Sequence, residues 1–516
     1  MFSLTALLSR ASLINGTQPI VTEDGHCETW QSFQTRVDQM AGKLVSLGAQ
    51  RGDRIGIFMV NSIRALELIF ATARIGCTIV PINIRFAKPE ILDCLTDCGV
   101  RFLFVQSDLW ETVSGLDLSK SAVEELIFCP LVDGEEAIGS AQAFPHIDHL
   151  EQSPVNMSSG AGDELAAIFY TSGTTGRPKG VMLSHNGIVA NELQWIAALG
   201  LSENDRLMVV APMFHAAGAL NAIGAVALGC GVHFMGAFNI DAMLGAIQAH
   251  KITKVGLIVV MLEMIGRHPT LTDYDLSSVR KISYGGSPIS EKALAQAQKT
   301  FPNADLFQVY GQTEGGPTVS ILPPECHQAD HPKIRSAGKP VIGTSLLIAD
   351  QEGRPLPSGE IGEICVSGPG VTIGYWDNEE ETRKAFRNGL LRTGDAGYLD
   401  EAGFLFICDR VKDMIISGGE NVYSSEVENA LMKYPGMIEC AAIGIPSDQW
   451  GEQVHAIVRL EKGAVEESDR IIAHCREWLA GYKLPRSVEF RTEPLPVSPS
   501  AKILKNVLRA PYWEKA

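Results

Sequence analysis

Apolar runs of strand length alternate with segments of helical periodicity along the first two thirds of the chain. The runs lie at 54–60, 78–82, 102–105, 165–170, 206–210, 255–260, 281–284 and 306–310. Strands that alternate with helices in this way predict an α/β protein with largely parallel sheets.

The pattern changes near residue 344. Residues 344–374 contain short strand-like runs separated by Gly and Pro, which predict a small barrel or meander appended to the sheets. After residue 409 the pattern predicts helices at 424–433 and 469–479 and strands at 441–445, 454–460 and 488–491. Such a segment can form a small α+β domain of its own, so we predict two domains, residues 1–409 and 410–516.

Two apolar segments bear on membrane association. Residues 218–238 carry no formal charge but contain five glycines. The glycine-rich break at 228–231 therefore predicts a buried helix followed by a strand rather than a membrane span. Near the start, Leu4, Leu7 and Leu8 have helical spacing without a basic or long apolar region, which predicts a short docked helix rather than a signal peptide. We expect no transmembrane segment.

Composition and charge narrow the choice of partners. The chain has 516 residues, and 43 Lys plus Arg against 60 Asp plus Glu give a net charge of −17. Such a field repels nucleic acid and anionic lipid, so neither is expected as a main partner. Eleven scattered cysteines fit reduced thiols in a cytoplasmic protein better than a disulfide framework. Cys94 and Cys98 share a predicted helix face without a nearby third ligand, so we expect core residues there rather than a metal site.

The segment 170–180, YTSGTTGRPKG, carries the clearest chemical signal. Its glycines let the backbone turn tightly and bring N–H groups close to an anion, its hydroxyl groups add donors, and Lys179 adds a positive charge. It is not a Walker A motif, because Pro178 precedes Lys179 and Gly180 follows it. The composition favours a phosphate-binding loop, with a solvated turn as the alternative.

This segment resembles the signature of the adenylate-forming superfamily of acyl-CoA synthetases, luciferases and peptide-synthetase adenylation domains. Further matching motifs follow in the family's order and extend the resemblance over residues 29–509. The resemblance implies a large N-terminal domain of two packed, mostly parallel sheets with helices and a small β-barrel. It also implies a small, mobile α+β C-terminal domain.

By resemblance, several segments together form the ATP and AMP site. Tyr310 is expected to stack on adenine, Thr313 to contact the α-phosphate, Glu314 to hold Mg²⁺, and Asp395 and Arg410 to reach the ribose. The full predicted set is Thr171, Ser172, Gly173, Thr174, Thr175, Gly176, Lys179, Gly286, Ser287, Pro288, Gln308, Val309, Tyr310, Gly311, Gln312, Thr313, Asp395, Arg410 and Lys502. The catalytic residues implied by the family are Lys502, His215, Thr313 and Glu314.

The acyl pocket is expected near the aromatic–histidine pair of the segment APMFHAAGA. Its predicted residues are Phe214, His215, Ala219, Met261, Gly286, Gly311 and Pro317. No cation stands among them, so a second carboxylate on the substrate is not favoured. A medium-to-long fatty acid and a benzoate- or cinnamate-like aromatic acid both remain open, with a slight preference for the fatty acid.

The C-terminal segment contains the residues that the family uses between its two half-reactions. Lys412 falls at the hinge position, and Ser417, Gly418 and Gly419 match the loop that serves thioester formation. The chain departs from the family at Ser424, where Pro is usual, and at Ala501, where Gly commonly precedes the adenylation lysine.

The implied reaction has two steps: acyl-adenylate and pyrophosphate form first, then a thiol takes the acyl group and AMP leaves. The implied small-molecule partners are a carboxylic acid, ATP with Mg²⁺, and coenzyme A as the thiol substrate. Two alternatives remain open, an enzyme that loads a separate carrier protein and a catalytically inactive nucleotide-binding protein. The oligomeric state, including a homo-oligomer, is also open.

Overall fold

The computed structural model describes residues 2–23, 26–131, 135–137, 139–171, 178–286, 289–328, 330–418, 420–497 and 503–514. The helices are α1 (Leu4–Asn15), α2 (Trp30–Ser46), α3 (Ile63–Arg74), α4 (Lys88–Asp97), α5 (Trp110–Val113), α6 (His185–Leu199), α7 (Ala216–Leu228), α8 (Ile240–His250), α9 (Val259–Gly266), α10 (Glu291–Thr300), α11 (Glu379–Ala385), α12 (Ser424–Leu431), α13 (Ser468–Cys475) and α14 (Lys505–Trp513).

The strands number twenty-six in the described residues. They are β1 (Pro19–Glu23), β2 (His26–Thr29), β3 (Arg54–Phe58), β4 (Thr78–Pro81), β5 (Val100–Gln106), β6 (Glu125–Cys129), β7 (Leu165–Thr171), β8 (Lys179–Ser184), β9 (Arg206–Val209), β10 (Gly231–Phe234), β11 (Lys254–Ile258), β12 (Lys281–Gly285), β13 (Asp305–Gln312), β14 (Gly316–Leu322), β15 (Lys339–Pro340), β16 (Ser345–Ala349), β17 (Gly362–Ser367), β18 (Gly374–Tyr375), β19 (Phe386–Arg387), β20 (Leu390–Leu399), β21 (Leu405–Arg410), β22 (Ile415–Ser417), β23 (Glu420–Val422), β24 (Met437–Ser447), β25 (Gly451–Leu460) and β26 (Ser487–Phe490).

The chain divides into two compact units, the first of which comprises Met1–Leu346 and Val366–Leu391. It contains a nine-stranded sheet of order β15-β14-β13-β12-β11-β9-β10-β1-β2 and a seven-stranded sheet of order β18-β8-β7-β4-β3-β5-β6. Strands β9 to β13 run parallel, and antiparallel pairing is confined to the edge pairs β1–β2, β13–β14 and β14–β15 of the larger sheet. The predicted pair of mostly parallel sheets is confirmed.

The core of the first unit follows from strand alternation. In β9, Leu207 and Val209 join the apolar cluster that also contains residues of α1, α2, α3, α6 and α7 and of the seven-stranded sheet. Met208 and the following Val210 face the other way, into the cluster formed with α8, α9 and α10. Successive side chains of a strand point to opposite faces, so one short apolar run supplies both layers.

The predicted strands of the first unit are confirmed, but several extend past the observed ends, and at 255–260 the excess belongs to a helix. The strand predicted at 255–260 ends at Ile258, and Val259 opens helix α9. A continuous apolar run does not reveal where a strand ends and a buried helix begins, because it contains no alternation of polar and apolar residues that would distinguish the two. Cys94 and Cys98 are confirmed as buried core residues.

The uncharged segment 218–238 forms most of α7 and then β10. Gly229, with φ of 67°, ends the helix in the left-handed conformation at the predicted break. Among the described residues, no helix is both long and apolar enough to cross a membrane.

The second unit comprises Leu347–Cys365 and Arg392–Ala516. Strands β20 and β21 pair antiparallel in a small sheet. The short strands predicted at 344–374 correspond to β16 and β17. A further sheet has the order β23-β22-β25-β24, with β26 parallel to β25. Helices α12 and α13 cover one face of β24 and β25, and Leu508 of α14 covers the other. The predicted α+β character is confirmed, while the domain boundary after residue 409 remains a prediction.

Candidate active site

Strands β7 and β8, which flank the glycine-rich segment in the sequence, pair as an antiparallel hairpin. The hairpin pairs Thr171 with Lys179, so the residues that flank the loop stand opposite each other at its mouth. Ser172, Gly173, Thr174, Thr175 and Gly176 lie outside the described residues. The hairpin therefore brings together a hydroxyl group and an ammonium group, while the cradle of backbone N–H groups remains a prediction.

Lys179 is held by two side chains that the sequence motifs did not include. Its Nζ forms an ion pair with Glu381 of α11 and lies 5.4 Å from the centroid of the Tyr375 ring. The hydrogen bonds from Lys179 and then Lys384 hold the pKa of Glu381 below its usual range. A phosphate that binds Lys179 therefore competes with the Glu381 carboxylate.

Glu314 lies next to the hairpin mouth. Its Oε1 accepts hydrogen bonds from the Tyr375 hydroxyl at 3.1 Å and the Thr171 hydroxyl at 3.4 Å. Its carbonyl oxygen accepts a hydrogen bond from the Thr372 N–H at 2.8 Å. The structure thus brings the predicted metal ligand together with one of the predicted phosphate-site residues.

Glycines make the turn that carries Glu314 possible. A 3₁₀ turn, Thr313–Gly315, joins β13 to β14. A Cβ on Gly311 would lie 2.2 Å from the Pro317 carbonyl oxygen. Gly316 has a φ of 80°, and a Cβ there would meet Asn191 Nδ2 at 2.9 Å. The close approach and the positive φ both require glycine, and together they present Thr313 and Glu314 at the end of β13.

The donor set suits a hard cation that is shared with a nucleotide. Glu314 supplies carboxylate oxygens with Thr171 beside it, and the described residues contain no cluster of three or more His, Cys, Asp or Glu side chains that could hold a metal on its own. Mg²⁺ in nucleotide sites is usually held by one or two carboxylates plus phosphates and water. The residues present therefore fit a magnesium ion that arrives with ATP.

The predicted adenine wall lies at the carboxyl ends of parallel strands. Gly285 of β12 pairs with Val309 of β13, and a Cβ on Gly285 would lie 2.4 Å from the Val309 carbonyl oxygen. Gly286 follows with a φ of 87°. Bare backbone is therefore exposed at the sheet edge where ligands of α/β proteins bind. The predicted residues Gln308, Val309, Tyr310 and Gln312 are half-buried along the same strand, and Ser287 and Pro288 lie outside the described residues.

Phe214 and His215 stand together at the start of α7. Their ring centroids are 4.7 Å apart, and His215 is the residue before the helix. Burial first, and then the charge of Arg85, lowers the pKa of His215 to about 4. The imidazole is therefore neutral at physiological pH, which fits a pocket wall rather than a fixed positive charge.

The structure distributes the remaining predicted acyl-pocket residues. Gly286 and Gly311 are exposed, and Pro317 is half-buried against Gly311. Ala219 is buried in the cluster between the two sheets, whereas Met261 packs against the cluster with α8 to α10. Ala219 and Met261 therefore belong to different apolar layers, and their common role as acyl-pocket residues remains a prediction.

In the second unit, Asp395 and Arg410 are brought together by strand register. They face each other across β20 and β21, and Arg410 Nε donates a hydrogen bond to Asp395 Oδ1 at 2.7 Å. The Asp395 side chain is 7% exposed and that of Arg410 is 39% exposed. The structure thus joins the two predicted ribose contacts, while their binding of ribose remains a prediction.

The predicted hinge and thioester loop follow directly in the chain. Lys412 lies in an exposed 3₁₀ turn, Val411–Asp413. Ser417 is buried, and Gly418 has a φ of 63° with its N–H bonded to the Trp450 carbonyl oxygen at 2.8 Å. Gly419 lies outside the described residues. No contact of these residues by itself assigns them a role, so both roles remain predictions.

Ser424 has a structural role that sequence reasoning undervalued. Asp409 Oδ2 accepts hydrogen bonds from both the N–H and the hydroxyl of Ser424, the latter at 2.6 Å. Lys505 Nζ donates to the Ser424 hydroxyl at 2.5 Å and pairs with Glu428 at 2.7 Å. Helix α12 begins at Ser424 without the usual proline, because Asp409 caps it and a proline would have no N–H to offer.

Lys502 and Ala501 lie outside the described residues, but the segment around them is anchored. Val497 and Ile503 form a β-bridge, and the Leu504 N–H donates to the Pro496 carbonyl oxygen at 2.8 Å. Residues 496–497 and 503–504 therefore lie side by side, and the ion pair of Lys505 with Glu428 ties α14 to α12.

Comparison with known proteins identifies the family of the chain. The model of the AMP-binding enzyme family matches residues 11–376, and that of the AMP-binding enzyme C-terminal domain matches residues 426–502. A feruloyl-CoA synthase from a Streptomyces species is 38% identical over 95% of each chain. A fatty acid–[acyl-carrier-protein] ligase, ScoC, from Streptomyces coeruleorubidus is 34% identical over 96% of this chain and 94% of its own.

A solved structure extends the likeness to three dimensions. The o-succinylbenzoate-CoA synthetase from Bacillus subtilis, in complex with its acyl-adenylate intermediate, has a TM-score of 0.82 and 28% identity over 97% of each chain. Both family models and these relatives cover the chain almost throughout, so the chain belongs to the AMP-binding enzyme family, the adenylate-forming superfamily that its motifs indicated.

Proposed function

We propose that this protein is an ATP-dependent carboxylate–CoA ligase that works through an acyl-adenylate. The observation that carries the proposal is the meeting of Glu314 with Thr171 at the mouth of the β7–β8 hairpin, beside Lys179. A carboxylate, a hydroxyl and an ammonium at a glycine-rich loop are the groups needed to bind and polarise a magnesium–nucleotide complex.

In the first step, a carboxylate oxygen of the acid attacks the α-phosphorus of ATP. A new P–O bond forms, and pyrophosphate leaves with the bridging oxygen. Both reactants are anions, so the barrier is largely electrostatic. Lys179 gives up its ion pair with Glu381 and binds the nucleotide, where it neutralises phosphate charge. A magnesium ion held at Glu314 would neutralise further phosphate charge. Neutral His215 and Phe214 border the acid without adding a charge.

In the second step, a thiol sulfur attacks the acyl carbon, and AMP leaves with the shared oxygen. Coenzyme A is the proposed thiol, which the feruloyl-CoA synthase relative supports. The ScoC relative, which is named for an acyl-carrier protein, favours a carrier as the second candidate acceptor. Ser417, Gly418 and Gly419 are the proposed loop for this step, and Lys412 is the proposed hinge.

The cellular setting proposed for the reaction is the cytoplasm. None of the eleven cysteines forms a disulfide, and nine of them are buried. Reduced thiols support a reducing compartment, where ATP and coenzyme A are also found.

The test of the proposal is product formation from ATP, Mg²⁺, coenzyme A and a panel of linear and aromatic acids. AMP and an acyl-CoA in equal amounts are expected. Replacing coenzyme A by a phosphopantetheinylated carrier protein separates the two acceptors. If labelled pyrophosphate does not exchange into ATP with any of the acids, the first step is contradicted. That result would favour the alternative of an inactive nucleotide-binding protein.

Lys502 can be tested separately in each half-reaction. We expect Lys502→Ala to slow acyl-adenylate formation by about 10²-fold or more, because one charge interaction, worth about 4 kcal/mol at a separation of about 4 Å, is lost. Thioester formation from chemically prepared acyl-adenylate should fall far less. Lys462→Ala, at an exposed position, is the matched control. Equal losses in both half-reactions would refute the role of Lys502 in adenylation.

A further inference from the structure

A carboxylate of the protein itself occupies the lysine that the proposed function gives to phosphate. Lys179, at the mouth of the β7–β8 hairpin, forms an ion pair with Glu381 of α11. The two side chains are only 16% and 24% exposed. None of the nucleotide-site motifs includes Glu381, so its role is not contained in the resemblance to the family.

Strand pairing brings α11 to Lys179. Strand β18 pairs antiparallel with β8, and Tyr375 lies opposite Val181. The Trp376 N–H then donates to the Gly180 carbonyl oxygen at 2.8 Å. The chain therefore leaves β18 beside the residue that follows Lys179, and α11 begins three residues later. All of these elements belong to the first unit.

The backbone around Glu381 is fixed without help from Lys179. The Glu381 N–H donates to Asn378 Oδ1 at 3.0 Å. The next residue, Thr382, accepts a hydrogen bond from the Tyr375 N–H at 2.9 Å through its hydroxyl oxygen and donates to the Asn378 carbonyl oxygen at 2.8 Å. Lysine has a flexible stem of four carbons. Lys179 is therefore the member of the pair that changes partner, and Glu381 is the member that stays.

A second lysine supports Glu381 when Lys179 leaves it. Glu381 Oε2 faces Lys179, while Oε1 accepts a hydrogen bond from Lys384 Nζ at 3.0 Å. The hydrogen bonds from Lys179 and then Lys384 keep the pKa of Glu381 below its usual range, so the carboxylate is ionised at neutral pH. A carboxylate that loses its only partner is strongly disfavoured. Lys384 removes that obstacle, which makes the exchange of Lys179 reversible.

One aromatic ring joins this pair to the predicted magnesium ligand. Lys179 Nζ lies 5.4 Å from the centroid of the Tyr375 ring, and the Tyr375 hydroxyl donates to Glu314 Oε1 at 3.1 Å. A polyphosphate held through magnesium at Glu314 would therefore meet Lys179 beside this ring. Its oxygens and the Glu381 carboxylate would then compete for the same ammonium group.

We propose that Glu381 is an internal competitor of the phosphates: it holds Lys179 in the empty site, yields it to ATP and takes it back as pyrophosphate leaves. The inference rests on the proposed function and deepens it. A ligand that needs Lys179 binds more weakly by the fraction of the time for which Lys179 is available. The same factor applies to ATP and to pyrophosphate, because both require the exchange.

The competition has different consequences for substrate and product. A lower affinity for ATP is overcome by a higher ATP concentration. A lower affinity for pyrophosphate shortens the time for which this product occupies the site and can reverse adenylation, and product release limits many enzymes. Glu381 is thus a positioning residue that acts through Lys179 and favours the forward direction of the first step.

The experiment measures calorimetric binding of magnesium pyrophosphate and of α,β-methylene-ATP to the full chain and to Glu381→Gln. Glutamine keeps the size of the side chain and removes its charge. We expect both dissociation constants to fall about 5-fold in the variant, because the competing half of a partly exposed ion pair is lost. Adenosine, which carries no phosphate, should bind equally to both proteins.

Two further variants control for charge and shape. Glu380→Gln makes the same charge change one residue earlier, at a side chain that is 73% exposed and pairs with Lys384. We expect it to change both dissociation constants less than about 2-fold. Glu381→Asp keeps the charge but shortens the side chain, so its dissociation constants should lie between those of the unmodified protein and Glu381→Gln.

Turnover provides a second readout. In Glu381→Gln, KM for ATP and the inhibition constant of pyrophosphate should both fall about 5-fold, and kcat should not rise. A merely structural role of Glu381 would lower kcat without tightening the binding of either ligand.

The outcomes separate this proposal from the ligase. Unchanged or weaker binding of pyrophosphate to Glu381→Gln, equal tightening in Glu380→Gln, or equal tightening for adenosine would overturn the competitor and leave the ligase standing. Absence of detectable pyrophosphate binding to both proteins would overturn it as well. Tighter binding of pyrophosphate to Glu381→Gln together with no AMP formation from any acid would support the competitor and contradict the ligase.

Discussion

Two buried lysine–glutamate pairs, one in each unit, have opposite surroundings. In the second unit, Lys505 lies 2.7 Å from Glu428 and also donates to Ser424. Glu428 in turn accepts a hydrogen bond from the Ala442 N–H at 2.9 Å. In the first unit, Lys254 has Asn221 as its one hydrogen-bond acceptor among the described residues, and Glu192 Oε2 has no donor.

The titration of the two lysines follows this difference. Burial by itself lowers the pKa of Lys505, but the charges of Glu428 and Asp409 outweigh it and leave the pKa above its ordinary value. Burial also lowers the pKa of Lys254, to about 7, and Glu192 counteracts it only in part. A buried ionisable group keeps its charge where oppositely charged groups and hydrogen-bond partners surround it closely.

The comparison distinguishes a fully partnered structural tie from an incompletely partnered buried site. The Lys505 pair joins α14 to α12 beside the capping carboxylate Asp409, and its donors and acceptors are occupied. In the Lys254 pair, Glu192 Oε2 has no hydrogen-bond partner among the described residues, and Lys254 Nζ lies close to the Gly256 backbone. A buried group without its full set of partners destabilises the fold rather than strengthening it.

Removal of each lysine gives the largest expected contrast. Lys505→Met leaves Glu428 buried without its partner, so we expect a loss of about 3–5 kcal/mol in the free energy of unfolding. Lys254→Met removes a charge that burial already disfavours, so we expect a loss of about 1–2 kcal/mol. Urea unfolding of the full chain, followed by circular dichroism, measures both. Similar losses for the two variants would contradict the distinction between tie and site.

The pH dependence of stability should separate the lysines next. The folded pKa of Lys254 is about 7 and its ordinary value is 10.5, so between these values the unfolded chain binds a proton that the folded chain releases. The contribution of Lys254 to stability therefore rises with pH across this window and is lost as pH falls through 7, with a slope of at most about 1.4 kcal/mol per pH unit. The raised pKa of Lys505 gives a contribution that is complete below 10.5.

Unfolding measured between pH 7.5 and 9.5 tests whether stability rises with pH as expected for Lys254. Lys254→Met should flatten the rise in stability seen for the unmodified protein, whereas Lys505→Met should lower stability by a constant amount. Glu192 and Asp205 are the carboxylates that act on Lys254, so Glu192→Gln is included as a control. An unchanged slope in Lys254→Met would show that Lys254 keeps its proton throughout this range.

A serine near each lysine gives the smallest expected contrast. Ser424 bonds both Asp409 and Lys505, so Ser424→Ala should cost about 1 kcal/mol in the free energy of unfolding. Ser283 makes no hydrogen bond among the described contacts, so Ser283→Ala should change stability by less than about 0.5 kcal/mol. Thermal unfolding without substrate measures both. A larger loss for Ser283→Ala than for Ser424→Ala would assign Ser283 a structural role instead.

The sequence alone predicted a large share of the fold. Apolar runs and their spacing indicated the strands of both sheets, because alternation and periodicity are local properties that burial imposes residue by residue. The run at 255–260 shows the limit, since a fully apolar segment does not reveal that α9 begins at Val259.

The motifs also predicted the members of the nucleotide site, although not their contacts. Thr171 and Glu314 were both predicted, and their hydrogen bond shows that they meet. Tyr375 and Glu381, which hold Glu314 and Lys179, were missed, because each lies about 60 to 200 residues away in the chain from the group it touches. The one local signal for Tyr375 was its aromatic ring in the segment GYW at 374–376.

The sequence by itself determined the fold class and the family, and it supplied the predicted list of nucleotide-site residues, since periodicity and motifs depend on neighbouring residues. Only the tertiary structure decided which distant polar groups share a cluster. Lys254 occupies the polar start of a strand in sequence, yet the register of β11 with β12 and the packing of α6 and α7 bury it beside Asn221 and Glu192. Burial of a charge, and the need to satisfy it, depend on all the elements that surround it, and no local pattern encodes them.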